Sequence, residues 1–215
     1  MRFLLLFALA LLSLPGSASD ARPPAPGEIR VRLNTSEGAI IVAVDARRAP
    51  KTAANFLAYV DDGRLDGTTF YRAARRKSDP RFGFIQGGIS NDARRMLPSV
   101  PMESTATTGL RHLDGAISMA HGSDPNSATG NFSIMVGANP GLDASRTSKG
   151  FAAFGRVVGG MDVVRRILAQ PSGGGSEEMK GQMILRPVRL ITAQRLDGTP
   201  KPTGRMKPWL ILPRR

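Results

Sequence analysis

The chain has 215 residues, which suits one domain with tails, and it contains no cysteine, which excludes a disulfide framework, a thiol nucleophile and thiolate zinc sites. Its formal net charge of +13 would suit nucleic acid, an anionic membrane surface or acidic proteins. Aromatic residues are few and do not alternate with basic ones as in nucleic-acid readers, so we interpret the charge as solvated surface and expect no nucleic-acid partner.

Residues 1–19 have the pattern of a secretory signal peptide. A basic start precedes an apolar run from Phe3 to Leu14, and the small residues of PGSAS follow it. The alternative is a membrane anchor, but the run is shorter than the roughly 20 residues that span a bilayer. We therefore predict cleavage near Ala18 or Ser19, a periplasmic or secreted location, and no transmembrane segment in the mature chain.

Residues 20–28 are polar and rich in proline, as in a linker, and β-rich segments follow them. IRVRLNT and AIIVAVD flank the short turn SEG, which predicts a hairpin. The next segment has apolar residues at helical spacing, at Ala53, Phe56, Leu57 and Val60. Pro50 suits the first turn of this predicted helix, and Gly63 suits the position just after its end.

Five further segments predict strands: GTTFYRAAR, FGFIQGG, GAISMAHG, GNFSIMVG and FAAFGRVV. MDVVRRILAQ predicts a second helix that Pro171 ends, and MILRPVRLITAQRL predicts either a closing strand pair or one long bent strand. About eight strands and two helices without βαβ alternation favour a mainly β fold, a closed antiparallel barrel capped by helices over residues 29–196. The basic, proline-rich residues 197–215 form a tail that either packs on the barrel or stays mobile.

The order of these segments resembles that of one family. TSEGAIIVAVDARRAPKTAANFLAYVDDGRLDGTTFYR, then FIQGG, GAISMA, and FAAFG before GMDVV resemble the cyclophilin-type peptidyl-prolyl isomerases, most closely the bacterial exported members. The resemblance implies an eight-stranded antiparallel barrel capped by two helices, with a substrate groove on its outer wall. It also implies rotation of X-Pro bonds in unfolded or flexible proline-containing polypeptides, without metal or nucleotide cofactor, which would assist folding of exported proteins. We expect the protein to be a monomer.

Arg72 follows Phe70 by two residues, and this Phe-x-Arg motif matches the catalytic arginine of the family. An X-Pro bond rotates over a barrier of about 18 to 20 kcal/mol because amide resonance must be broken. A guanidinium that donates to the proline nitrogen would favour the twisted amide, while an apolar pocket holds the ring. Without the surrounding motif, Arg72 would be interpreted as a solvated strand arginine.

The resemblance also implies a set of substrate-binding residues: Phe84, Gln86, Met119, Ala120, His121, Asn131, Leu142 and Phe151. Gln86 would hydrogen-bond the substrate backbone and help to hold Arg72. His121 stands where the family has asparagine, and we assign it no proton-transfer role because rotation about the bond transfers no proton. Phe84 and Phe151 replace a pocket methionine and a groove histidine. Asn131 and Leu142 have alternative interpretations as ordinary loop residues.

The chain departs from the family pattern at several pocket positions. Ser133 and Gly83 stand where phenylalanines are usual, and Gly141 stands where many eukaryotic members have tryptophan. The segment between Arg72 and Gln86 is also several residues longer than usual. These departures leave a second hypothesis open, a cyclophilin-like binding module or chaperone with little or no turnover. They also predict weak binding of cyclosporin-type ligands.

Overall fold

The barrel begins with the predicted hairpin. In the computed structural model, which describes residues 23–211, β1 (Glu28–Thr35) pairs with β2 (Gly38–Asp45) in antiparallel fashion. Alternate residues of β1 face inward, so Val31 and Leu33 are buried in the core. The predicted signal peptide lies outside the described residues.

The remaining strands are β3 (Thr68–Arg75), β4 (Gly83–Gly88), β5 (Ala116–Met119), β6 (Asn131–Val136), β7 (Ala152–Gly159), β8 (Ser172–Gly173) and β9 (Met183–Arg195). Among the described residues, eight strands close a ring in the order β1, β2, β7, β5, β6, β4, β3, β9, and β9 pairs with β1 to complete it. The two-residue strand β8 pairs with β9 outside this ring. The predicted closed eight-stranded antiparallel barrel is therefore confirmed.

The closing segment forms one long strand instead of a strand pair. Its later part pairs with β1, and its earlier part pairs with β3 through an irregular register. Phe70 lies opposite Val188, whereas Arg72 lies opposite Met183. Pro187 falls within this irregular stretch, where a residue without an N–H group is tolerated in a strand.

Helices pack against the barrel. The first, α1 (Pro50–Asp61), has the predicted proline in its first turn and buries the predicted apolar face. A single turn, α2 (Thr105–Thr108), begins after the N-cap Ser104, whose hydroxyl accepts from a backbone N–H. The third, α3 (Met161–Leu168), turns a continuous apolar face to the core through its buried residues Val163, Val164, Ile167 and Leu168.

Aromatic rings join α1 to the barrel interior. The ring of Phe132 meets the rings of Phe56 and Phe70 edge to face, with centroids 5.4 and 5.7 Å apart. Phe56 comes from α1, and the other two come from strands, so the same contacts fix the helix and the sheet. No helix between residues 23 and 211 is long and apolar enough to cross a membrane.

The described part of the tail packs against the barrel end near α1. Thr203 donates to both carboxylate oxygens of Asp62, through its backbone N–H at 2.7 Å and its hydroxyl at 2.5 Å. Burial alone would raise the pKa of Asp62, but hydrogen bonds from Thr203 and Arg64 outweigh it and lower the pKa. Trp209 lies against two guanidinium groups. Its ring centroid is 4.8 Å from Cζ of Arg64 and 5.2 Å from Cζ of Arg95.

Candidate active site

Strand register places four polar residues in one row on the outside of the barrel. Arg72 of β3 pairs with Gln86 of β4, Gln86 pairs with Ser133 of β6, and Ser133 pairs with Ser118 of β5. Directly opposed residues face the same side of a sheet. Ile85, the neighbour of Gln86, is fully buried in the core, so Gln86 and its partners face outward. We refer to these four residues as the outer row.

Several acceptors hold the Arg72 guanidinium. Its Nη1 donates to Oε1 of Gln86 at 3.0 Å, and its Nε donates to Oε1 of Gln182 at 2.8 Å. Its Nη2 donates to the carbonyl oxygen of Glu178 at 3.2 Å, and its central carbon lies 5.1 Å from the centroid of the Phe84 ring. A guanidinium has five N–H donors, so one hydrogen on each terminal nitrogen remains for a substrate.

Arg72 is partly buried, and this affects its electrostatics. Burial lowers the pKa of Arg72, while the nearby Tyr71 and Glu178 act in the opposite direction. The ordinary pKa of arginine is so high that the group remains a cation at neutral pH. Because the surroundings contain less water than bulk solvent, the charge acts on a neighbouring dipole more strongly than a fully exposed arginine would.

Tyr71 fixes the orientation of Gln86. Nε2 of Gln86 donates to the phenol oxygen of Tyr71 at 3.1 Å, which directs Oε1 towards Arg72. Burial raises the pKa of Tyr71 to about 12, so the phenol is neutral at physiological pH. Both ends of the Gln86 amide therefore have protein partners. The predicted role of Gln86 in holding Arg72 agrees with these contacts, whereas its contact with the substrate backbone stays a prediction.

His121, Phe151 and Leu142 form a second group of predicted residues. The His121 ring stacks on the Phe151 ring with centroids 4.3 Å apart. Its Nε2 lies 2.9 Å from the carbonyl oxygen of Gly150, and its Nδ1 lies 2.6 Å from that of Gly122. The N–H of Phe151 donates to the carbonyl oxygen of Leu142. His121 therefore fastens the segment that carries Phe151, and both of its ring nitrogens face protein carbonyls.

Ala120 and Asn131 lie where β5 and β6 separate, joined by a hydrogen bond from the Ala120 N–H to the Asn131 carbonyl oxygen. The Asn131 side chain binds the backbone of Ser90 twice, accepting from its N–H at 2.7 Å and donating to its carbonyl oxygen at 2.9 Å. These bonds hold the turn after β4, in which Ser90 has a φ of 52°. The amide of Asn131 thus holds the turn after β4, and its contact with substrate stays a prediction.

Met119 lies inside the barrel and not in the groove. Its side chain is 2% exposed and belongs to the hydrophobic core. Side chains alternate along a strand, and the preceding residue, Ser118, belongs to the outer row, so Met119 faces inward. The expectation of a direct substrate contact for Met119 is corrected accordingly, because this side chain supports the wall from within.

His112 belongs to a buried network that sequence reasoning missed. Its Nδ1 lies 2.7 Å from a carboxylate oxygen of Asp143, and its Nε2 lies 2.8 Å from the hydroxyl oxygen of Ser118. The order of the three groups is that of a serine-hydrolase relay, but Ser118 is only 2% exposed and cannot meet a substrate. We interpret the network as a link that fixes the Leu142 segment to β5.

The departures from the family pattern have local structural settings. Gly83 has a φ of 144°, and a Cβ added there would lie 2.0 Å from the carbonyl oxygen of Ala74, so a phenylalanine does not fit. The longer loop before β4 contacts the turn after β6, where Arg76 donates to the side-chain oxygen of Asn139 at 3.0 Å. A Cβ added at Gly141 would meet no atom of residues 23–211 within 4 Å. The structure therefore leaves room for a side chain at Gly141 and none at Gly83.

A closed antiparallel barrel with an arginine and a glutamine paired on its outer wall defines a cyclophilin-like protein. The chain matches the family described as Cyclophilin type peptidyl-prolyl cis-trans isomerase/CLD over residues 30–191. It is 41% identical over 137 residues to peptidyl-prolyl cis-trans isomerase A of Dickeya dadantii, which covers 64% of this chain and 70% of that protein. It is 35% identical over 164 residues to a peptidyl-prolyl cis-trans isomerase of Acinetobacter baylyi, covering 76% and 84% of the two chains.

The fold agrees with these sequence matches. A crystal structure of a cyclophilin type peptidyl-prolyl cis-trans isomerase of Cryptosporidium parvum has a TM-score of 0.61 at 20% identity and covers 80% of this chain and 99% of that one. The chain therefore belongs to the cyclophilin-type peptidyl-prolyl cis-trans isomerase family and is an enzyme of that type.

Proposed function

We propose that this protein rotates X-Pro bonds in exported proteins and that Arg72 stabilises the twisted amide. The observation that carries the proposal is the position of Arg72 in the outer row. Three of its N–H groups are bound by Gln86, Gln182 and Glu178, which leaves one hydrogen on each terminal nitrogen for the substrate.

The chemistry depends on the state of the proline nitrogen. In the planar amide its lone pair is delocalised into the carbonyl group and accepts hydrogen bonds poorly. When the bond twists, the lone pair returns to nitrogen, so a cationic donor gains a strong hydrogen bond only in the transition state. Each 1.36 kcal/mol gained in this way accelerates rotation about tenfold. No proton is transferred and no covalent intermediate forms.

The apolar part of the site would hold the proline ring. Phe84 lies against Arg72, the Phe151 ring stacks on the His121 imidazole, and the backbone N–H of Phe151 donates to the carbonyl oxygen of Leu142. Apolar contacts to the ring and hydrogen bonds to the flanking backbone would keep the amide next to the guanidinium, which reduces the entropy lost on reaching the twisted state.

A second candidate function is a binding module on the same barrel. Ser133 and Gly83 supply no aromatic ring at positions where the family usually has one, which favours weaker grip on proline. This alternative differs from the first in one measurable property, turnover that depends on Arg72.

The test is a protease-coupled isomerisation assay on a short peptide that contains Ala-Pro-Phe. We expect Arg72→Ala to lower kcat/KM by about 100-fold, as for loss of a donor that acts in the transition state. Arg189→Ala removes an exposed arginine on β9 and serves as the matched control, which should retain turnover. Circular dichroism checks that each variant is folded. Equal rates for Arg72→Ala and wild type would leave only the binding module.

The exported setting is part of the proposal and rests on the amino-terminal sequence pattern. Uncatalysed X-Pro isomerisation is slow enough to limit the folding of a chain, which gives an isomerase outside the cytoplasm a role in folding. Cell fractionation followed by amino-terminal sequencing tests it. We expect a mature chain that starts near Ser19 in the periplasm or medium, whereas an intact amino terminus in the cytoplasmic fraction would contradict export.

A further inference from the structure

We infer that Gln182 is a positioning residue for Arg72, a role that rests on the proposed function. Its Oε1 accepts from Nε of Arg72 at 2.8 Å, and 110 positions separate the two residues in sequence. Gln86 binds one terminal nitrogen of the same guanidinium. A planar group held at one nitrogen can still rotate about that bond, whereas acceptors on two different edges fix its plane.

The backbone of Gln182 is anchored beside Arg72. The N–H of Ala73 donates to the carbonyl oxygen of Gln182 at 2.8 Å, and the following residue, Met183, pairs with Arg72 in the β3–β9 ladder. Gln182 therefore lies immediately before β9, and its backbone is hydrogen-bonded to β3, the strand that carries Arg72. Its side chain starts from a fixed point next to its partner.

The Gln182 amide is also oriented. Its Nε2 donates to the carbonyl oxygen of Glu178 at 3.0 Å, so Oε1 is the end that faces Arg72. The same carbonyl oxygen accepts from Nη2 of Arg72. Arg72, Gln182 and Glu178 thus form a closed set of hydrogen bonds in which each group limits the freedom of the other two.

The segment that carries Glu178 is itself attached to the barrel. The hydroxyl of Ser172 donates to the carbonyl oxygen of Gly181 at 3.1 Å, and Arg75 of β3 donates to that hydroxyl. Loss of the Gln182 acceptor would therefore leave the segment in place and release mainly the Nε edge of Arg72. A donor that is no longer fixed loses transition-state stabilisation while the substrate still binds.

The test compares side chains of similar length at position 182. Gln182→Met removes the acceptor and keeps the bulk, and Gln182→Glu keeps an oxygen acceptor. Gln194→Met, at an exposed position on β9, is the matched control. In Gln182→Met we expect kcat to fall by about tenfold to 100-fold, as for a small misplacement of a catalytic group. The affinity for the peptide, measured by NMR titration, should remain near that of wild type in every variant. Gln182→Glu should recover most of the rate.

A second readout follows the hydrogen bond itself. The Nε–H signal of Arg72 in a ¹⁵N–¹H NMR spectrum is identified by its loss in Arg72→Lys. We expect its proton to exchange with water faster in Gln182→Met and near the wild-type rate in Gln182→Glu, because the donated hydrogen is protected only when an acceptor is present.

Three outcomes decide the inference. Wild-type kcat in Gln182→Met would overturn it and leave the proposed function standing. Equal loss in Gln182→Met and Gln182→Glu would also overturn it, because the Nε2 donor to Glu178, which both variants lack, and not the acceptor would then matter. Wild-type enzyme is measured first against Arg72→Ala, and absence of an Arg72-dependent rate there would remove the proposed function and, with it, any positioning role.

Discussion

Arg72 is constrained before a substrate arrives. Its plane is fixed by side-chain and backbone acceptors from β4 and from the segment before β9, and partial burial strengthens its field. In the proposed mechanism such a donor would need little reorganisation when the amide twists, which is the physical basis of electrostatic catalysis. The family motif points to this residue, and its protein contacts distinguish it from a solvated strand arginine and support the proposed role.

Burial of His112 predicts a pH-dependent stability. Burial lowers the pKa of His112, and the neighbouring Asp143 only partly opposes it. The unfolded chain, with a histidine pKa of about 6.5, therefore binds a proton first as the pH falls. The stability due to neutral His112 is fully present above about pH 6.5 and is lost as the pH falls through the folded-state pKa.

The measurement is the free energy of unfolding in urea between pH 7.5 and 5. Carboxylates with lowered pKa, such as Asp62 and Asp197, lose their contribution only below about pH 4, so they do not obscure this window. We expect the wild type to become less stable towards pH 5 and His112→Gln to show a flatter profile. Identical slopes in the two proteins would contradict the assignment.

At the residue scale the sequence predicts the motif positions but not their partners. Arg72 and Gln86 follow from their place in a Phe-x-Arg and an Ile-Gln-Gly-Gly segment. Tyr71 hydrogen-bonds Gln86 at the irregular register between Phe70 and Arg72. Gln182 contacts Arg72 although it lies 110 positions later in the sequence. Neither contact has a local sequence signal, because each depends on how one strand aligns with another.

Among the elements, periodicity predicted the strands and helices well because apolar residues recur at the spacing of each element. The closing segment remained open between one strand and two, since Pro187 interrupts a β-rich run. The structure accommodates that proline in the irregular part of the β3–β9 ladder, so the strand continues through it. Whether the closing segment forms one strand or two is decided only by its pairing with both β1 and β3, which closes the barrel.

Gly83 controls the path of β4, and its replacement should be destabilising. An added Cβ would lie 2.0 Å from the carbonyl oxygen of Ala74, and the backbone there has a φ of 144°. We expect Gly83→Ala to lower the free energy of unfolding by at least about 2 kcal/mol. Gly141→Ala is the matched control, because a Cβ there meets no atom of the described residues within 4 Å, and it should change stability by less than about 0.5 kcal/mol. Similar losses in both variants would refute the argument.

The open surface at Gly141 bears on cyclosporin-type ligands. Since no atom in the described part of the chain lies within 4 Å of a Cβ at this position, a tryptophan side chain can be added without a clash with it at its first carbon. We expect weak binding by the wild type and tighter binding by Gly141→Trp, because an indole offers a large apolar surface and an N–H donor. Isothermal calorimetry measures both dissociation constants, and tight binding by the wild type would refute the expectation.

For the whole molecule, the described tail is part of the folded structure. Thr203 binds the buried carboxylate of Asp62, whose ion pair with Arg64 is almost fully buried. Breaking one partner of a buried pair is strongly destabilising, so the tail protects a sensitive site. Composition alone left two options, packing or mobility, because basic and proline-rich segments adopt either according to the surface that they meet.

Removal of the Trp209 ring should therefore weaken the entire protein. The ring covers the guanidinium groups of Arg64 and Arg95. We expect Trp209→Ala to lower the free energy of unfolding by about 1 to 3 kcal/mol. Leu210→Ser changes a neighbouring side chain that is 72% exposed and should have little effect. Differential scanning calorimetry distinguishes the two, and an unchanged Tm in Trp209→Ala would show that the tail adds nothing to stability.

Trp209 is also the only tryptophan in the chain, and it sits on the tail and not in the barrel wall. Intrinsic fluorescence therefore monitors undocking of the carboxyl-terminal segment, while far-ultraviolet dichroism monitors loss of the sheet. Two separate midpoints in one denaturant titration would reveal an intermediate with an intact barrel and a detached carboxyl-terminal segment. Coincident midpoints would mean that the barrel and the segment unfold as one cooperative unit.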